Sequence, residues 1–265
     1  MKWGWEAISG ISAAVAALLS FLAILYQIIS NKRAMVPIII PELKIMKSDI
    51  SDIIYDWDTD EKMEDKFSKT EILLNNIGKE AAVDISCTFR AENESELQNY
   101  FLKSNILEEQ ESKSYLKIST NDITGKNANV HYRRDGAKKF YKNFRMGAYI
   151  RKLNSIPAHS NGEIRLPSYF IMMVNYNFMV NLKHEDTLPA VMPVLRLKVK
   201  FRDVYLKEWS VEYLLSMSSN YDFIDNSTLI TSVECKQISK MKRVRSNWVK
   251  YVPLLAIVLL YAFLF

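Results

Sequence analysis

Between positions 131 and 152, basic and aromatic side chains interleave. They are His131, Tyr132, Arg133, Arg134, Lys138, Lys139, Phe140, Tyr141, Lys142, Phe144, Arg145, Tyr149, Arg151 and Lys152, opposed only by Asp135. Guanidinium and ammonium groups bind phosphate oxygens through charge-assisted hydrogen bonds, and aromatic faces stack on bases. Arg133, Arg134, Lys138, Lys139, Tyr141, Lys142 and Arg145 are therefore the candidate ligand-binding residues. Three readings fit this composition. The segment binds a nucleotide-type ligand, or it meets anionic lipid headgroups of a nearby membrane, or it is a solvated, salt-bridged helix whose aromatics face the core.

Bond-breaking chemistry has no such constellation. The chain holds no P-loop, no GxGxxG, no GxSxG, no HExxH and no paired CxxC. His131, His159 and His184 sit in polar, loop-like stretches and share no metal-ligand spacing. Asp56, Asp58 and Asp60 alternate as in a calcium loop. The pattern then fails, because Glu61 stands where glycine must turn the chain and Phe67 where the bidentate glutamate belongs. The stretch reads as a solvated loop. Cys87 and Cys235 lie far apart, and Cys87 alternates with Val83, Ile85 and Phe89 as a core residue does. The expectation is a protein that is not an enzyme and carries no cofactor or metal.

What holds the basic segment in place is decided first by the ends of the chain. Residues 7–29 carry no charge. At about 1.5 Å per residue, a helix of that length crosses a hydrocarbon core of roughly 30 Å. Small residues fall mid-run rather than at its end, so it reads as an uncleaved anchor. Residues 251–265 are also charge-free but shorter, and they span only if Trp248 and Val249 join them and Lys250 snorkels. Lys32 and Arg33 follow the first stretch, and Lys242, Arg243, Arg245 and Lys250 precede or abut the second. Both clusters sit on the side of the central domain. The positive-inside rule then sets that domain in the cytoplasm at the inner membrane, with both termini outside. Gly10, Ser12, Ala16 and Ser20 make a small-residue stripe on the first helix, suited to a homo-oligomer or pore, or to pairing with the second helix.

The middle reads as mainly β: a membrane-anchored β-sandwich with a helical insertion, flanked by one transmembrane helix at each end. Its expected boundaries are 1–33 for the anchor, 34–235 for the β domain with an insertion at about 92–155, and 236–265 for the basic juxtamembrane segment and second helix. Residues 38–40 form a short strand. Residues 72–76 and 82–90 form a hairpin around Gly78-Lys79, and a helix follows over 92–110. A strand at 113–119 and a longer one at 169–180, entered through Pro167, come next. In the hairpin 195–202 and 209–217, Arg196, Lys198, Lys200 and Arg202 lie across from Glu208 and Glu212. That pairing explains the basic row structurally, without a ligand. Residues 229–235 add a last strand.

Leu74-Asn75-Asn76-Ile77-Gly78-Lys79-Glu80-Ala81-Ala82-Val83-Asp84-Ile85 resembles the strand–NxG–strand signature of immunoglobulin-like β-sandwich modules in bacterial membrane-anchored proteins. Ile156-Pro157-Ala158 leading to Ile164-Arg165-Leu166-Pro167, and Leu195 through Phe201-Arg202-Asp203 to Trp209, look like later strands of such a module. The insertion at about 92–155 departs from it. The layout also resembles membrane effectors of bacterial antiviral nucleotide-signalling systems. That resemblance implies a β domain that senses a cyclic nucleotide and helices that oligomerise to damage the membrane. It carries no ligand contacts over to particular residues. The expected partners are a bilayer with anionic headgroups, a nucleotide ligand or a cytoplasmic protein partner, and further copies of the chain. The alternative is a non-enzymatic membrane adaptor that docks a cytoplasmic partner.

Overall fold

A computed structural model describes residues 4–34, 36–49, 52–111, 114–121, 125–133, 139–184, 191–224 and 228–244. Helix α1, Trp5–Ala34, is 30 residues long. Its side chains from Val15 to Ile28 are exposed, not packed on the rest of the chain. Among the described residues, no helix is long and apolar enough to cross a membrane.

The remainder is mainly β, a curled sheet system with two further helices, as the alternating patterns require. In chain order its elements are β1 (Ile39–Pro41), β2 (Lys44–Asp49), β3 (Phe67–Asn76), β4 (Ala82–Ala91), α2 (Glu94–Glu111), β5 (Ser114–Asn121), β6 (Gly125–Arg133), β7 (Lys139–Arg145), β8 (Tyr149–Ile156), β9 (Ser160–Pro167), α3 (Ser168–His184), β10 (Val194–Arg202), β11 (Glu208–Met217), β12 (Asp222–Phe223), β13 (Thr228–Gln237) and β14 (Lys242–Arg243). The large sheet runs β12-β13-β11-β10-β4-β8, with β2 on β13 and β14 on β11; β1-β3-β9 and β5-β6-β7 are separate three-stranded sheets. Strand structure thus continues past Cys235 through β14. The β10–β11 hairpin forms as expected, with Leu195, Leu197, Val199, Phe201, Val211, Tyr213 and Leu215 buried.

Residues 72–76 and 82–90 do not form the expected hairpin. β3 pairs with β1 and β9, whereas β4 pairs with β10 and β8, so the chain changes sheets at Asn76-Gly78. The buried Asn76 amide explains the crossing. Its Oδ1 accepts from Gly78 N at 3.0 Å and Ile38 N at 3.2 Å, and its Nδ2 donates to the carbonyls of Glu80, Ile156 and Pro157. A Cβ on Gly78 would meet Ile38 N and Val36 O at 2.5 Å, so only glycine admits the incoming strand.

Residues 169–180 are not a strand but the core of α3. Every described position of α3 from Ser168 to Asn181 except Met179 is buried. A helix that is apolar all round is a core helix, and periodicity alone does not separate a short buried helix from a buried strand. The acidic stretch after β2 is solvated only in part: residues 58–62 and 64–66 are exposed. Ile53, Ile54, Trp57 and Met63 are buried in the core, and the Trp57 ring meets Phe170 of α3 edge-on at 6.2 Å. Asn175 fixes them: its Oδ1 accepts from Trp57 Nε1 at 2.7 Å, and its Nδ2 donates to Tyr55 O at 2.8 Å. Asp56 is buried too, accepting from the backbone N–H groups of Lys69 and Thr70 and from the Thr70 hydroxyl. Asp56 is structural there, whereas Asp58 and Asp60 are exposed.

The strands give the domain two ends. At one, which we call the corner end, β3 finishes, β4 begins, β8 finishes and β10 turns into β11. At the other, β4 leads into α2 and the β5–β7 meander, and β7 returns to β8.

Candidate ligand-binding face

The strands of the β5–β7 meander contain Lys117, Lys126, Arg133, Lys139, Lys142 and Arg145 and no aspartate or glutamate, while Asp122 and Asp135 fall in the connections between them. It is strand, not the helix that was one reading of this segment. Alternation divides it into two faces. Leu116, Ile118, Ala128 and Phe144 are buried, while Lys117, Asn143 and Arg145 are exposed. Register and alternation place three rows of paired residues in the set of Lys117, Asn143 and Arg145: Tyr115–His131–Tyr141, Lys117–Asn129–Asn143 and Ser119–Asn127–Arg145. Beyond the first row, Arg133 is register-paired with Lys139. Directly opposed residues have Cβ atoms about 4.5–5.5 Å apart, and like charges so placed repel. An anion on this face would relieve that repulsion.

Helix α2 joins the meander to the core. Leu97, Tyr100, Phe101 and Ser104 are buried; Ser104 Oγ and the Tyr176 hydroxyl of α3 lie 3.1 Å apart, and the Phe101 and Tyr176 rings meet edge-on at 5.5 Å. Asn93 ties the start of α2 to the segment leading into β10, its Oδ1 accepting from Val194 N at 3.0 Å and its Nδ2 donating to Met192 O at 3.0 Å. After β7, the Tyr149 hydroxyl donates to the Arg145 carbonyl. Burial pushes the Tyr149 phenol up, and the Arg145 charge opposes that shift.

Of the seven predicted ligand-binding residues, Arg133, Lys139, Tyr141 and Arg145 fall in one alternating set. Lys142 falls in the other, in register with Leu116 and Val130. Arg134 and Lys138 lie outside the described residues. Tyr115, Lys117 and His131 share the face and were not assigned to it from sequence. Their period-two spacing shows the relation only once the meander pairing is known.

The other basic row is neutralised. Arg196 bonds Glu92 and reaches Glu212 at 3.3 Å, Lys198 meets Glu212 at 2.9 Å, Lys200 lies 3.9 Å from Glu208, and Arg202 meets Asp84 at 3.0 Å. Lys198 and then Arg196 hold the Glu212 carboxyl below the usual glutamate range, although burial acts against them. A groove of about 410 Å³ beside this row is lined by Asp84, Lys152, Asn154, Lys200, Arg202 and Glu208. Much of its charge is spent within these ion pairs.

Gly10, Ser12, Ala16 and Ser20 are exposed along α1, and the Ser20 hydroxyl donates to Ala16 O at 2.9 Å. Lys32 and Arg33 close the α1 backbone. Lys242 and Arg243 are exposed in β14, while Arg245 and Lys250 lie outside the described residues. Among the described residues, no group of His, Cys, Asp and Glu is arranged to hold a metal ion. Cys87 and Cys235 are free thiols; burial pushes Cys87 up to about 12 and Cys235 to about 11. No family model, curated protein or solved structure matches this chain.

Proposed function

We propose that this chain is a membrane-anchored cytoplasmic sensor-effector of the kind found in bacterial antiviral defence. Its β domain, read as an immunoglobulin-like sandwich, binds an anionic, base-bearing ligand of the nucleotide class on the β5–β7 face. Binding changes the association of α1 with other helices, and through it membrane permeability. The observation that carries this reading is the strand pairing that sets Arg133 opposite Lys139 beside the Tyr115–His131–Tyr141 row, on strands that hold no aspartate or glutamate. Cations there match phosphates, and the aromatic row matches bases.

Anchoring by α1 is supported by the absence of charge over residues 7–29. The exposed apolar ring from Val15 to Ile28 requires a cover, and a bilayer supplies one. Basic residues Lys32 and Arg33 at its end favour the cytoplasmic side for the β domain. A lipid headgroup is the weaker ligand for the meander, because α1 joins the domain at the corner end, away from α2 and the meander.

The test is fluorescence anisotropy of a labelled cyclic dinucleotide titrated with the full chain in lipid nanodiscs, in parallel with dye leakage from vesicles. Saturable binding that triggers leakage is expected. No binding by any mono- or cyclic dinucleotide, with vesicles intact throughout, would overturn the sensor-effector reading in favour of the adaptor.

A further inference from the structure

The corner end gathers features that the ligand face does not use. Loop 203–207 joins β10 to β11 and displays Val204, Tyr205 and Leu206 at 50%, 60% and 70% exposure. Loops of this kind are ordinarily polar, and these three apolar residues are consecutive. The loop is also built to hold them out. Buried Asp203 accepts from Tyr205 N and Lys207 N, both at 2.9 Å, and from Trp209 Nε1 at 3.0 Å. Its own N–H donates to Lys207 O at 3.0 Å, and Leu206 takes the left-handed conformation at φ 60°. A loop fixed by its own aspartate, with a branched aliphatic residue at positive φ, keeps its apolar side chains outside the core.

Both connections to the apolar segments leave from this end. The chain from α1 enters through Val36-Pro37-Ile38 against Gly78, beside exposed Ile77. Register then places Ala82 opposite Ile156, and Arg202 opposite both Val83 and Glu208. Val244, the last described residue, donates its N–H to Glu208 O at 2.8 Å, and the chain continues from there to the charge-free residues 251–265. Lys79, Lys242 and Arg243 are exposed at this end, as is Asp84, and Lys207 Nζ sits 5.3 Å from the Tyr205 ring centre.

We infer that the corner end is a membrane-docking surface, in which Val204, Tyr205 and Leu206 enter the interfacial layer of an anionic bilayer while the surrounding lysines and arginine meet its headgroups. Apolar side chains with an aromatic ring suit the headgroup–acyl boundary, and basic neighbours add attraction to anionic lipid. The occupant is a bilayer because both routes to the apolar segments open at this end. This inference rests on the proposed anchoring. It does not depend on what the meander binds.

The experiment places a nitroxide label at Leu206→Cys, and separately at Val204→Cys, in full-length protein carrying Cys235→Ser. The protein is reconstituted in phosphatidylglycerol–phosphatidylcholine vesicles, and a label at Asn143→Cys serves as the meander-end control. Collision with oxygen and with a water-soluble nickel complex reports depth. Labels at 204 and 206 are expected to be several-fold less accessible to nickel than the label at 143, and shallower when phosphatidylglycerol is omitted. Equal nickel access at all three sites, in protein that alkaline carbonate leaves in the membrane, would overturn the docking surface alone. Extraction by carbonate would overturn the anchoring with it. Disulfide cross-linking of two copies through Leu206→Cys would assign the tip to a copy–copy contact instead.

Discussion

Strand β10 sets Arg196, Lys198, Lys200 and Arg202 on one face, and the meander sets Lys117, Arg133, Lys139 and Arg145 on another. In sequence both look like basic strips. On β10 every cation meets a carboxylate, from Glu92, Glu208, Glu212 or Asp84. In the meander the strands contain no carboxylate, and Arg133 faces Lys139. Charge count alone therefore does not identify a binding surface; the identity of the cross-strand neighbour does. A paired row stabilises the sheet modestly, whereas like charges set directly opposite one another cost stability that a ligand can offset.

The sharpest way to break the comparison is to reverse charge on both rows and read both consequences. Lys139→Glu with Arg145→Glu removes two charge-assisted contacts of about 1.5 kcal/mol each, which weakens nucleotide binding by about 150-fold in the anisotropy titration. Thermal unfolding should stay unchanged or shift slightly upward. Next in size is Tyr141→Ala. Stacking on one aromatic is worth about 1–3 kcal/mol, so binding should weaken by about five- to 150-fold with little change in salt dependence.

On β10 the effects move to stability. Glu212→Lys places a third cation between Arg196 and Lys198 and should cost about 1 kcal/mol in urea unfolding, with nucleotide binding intact. The Glu212 carboxyl, held low chiefly by Lys198, gives a pH signature of the same pair. Its stabilising contribution is fully present above the unfolded-state value of about 4.3 and is lost as pH falls through the lower folded-state value. Glu212→Gln should flatten the acid limb of the stability profile by less than about 1 kcal/mol, given the partial exposure of the pair. Smallest of all, Lys200→Ala should change stability by no more than a few tenths of a kcal/mol, because its 3.9 Å contact with Glu208 is loose and exposed.

Strands with one wet face were readable from the residues. The alternation of Leu195, Leu197, Val199 and Phe201 with four cations fixes both the strand and its buried side, and the structure agrees. Elements buried all round were not readable. The run of Tyr169, Phe170, Ile171, Met172, Met173 and Val174 has β-type residues on every side, and only its place at the centre of the domain makes it a helix. Asn76-Ile77-Gly78 signalled a turn correctly but not that the turn changes sheets, which depends on the arrival of Val36-Pro37-Ile38. In the loop after β2, Asp56 resembled a solvated acid because its partners Lys69 and Thr70 are reached only by folding. For the ligand face, composition marked Arg133, Lys139, Tyr141 and Arg145, and pairing was needed to add Tyr115, Lys117 and His131 and to move Lys142 to the opposite set.

Amide hydrogen exchange of the full chain in nanodiscs, with and without a saturating cyclic dinucleotide, tests the central claim most directly. The account predicts added protection concentrated in β5–β7, with β10 and β11 unchanged. Protection centred on β10–β11, or no protection in the meander while the nucleotide is bound, would contradict it.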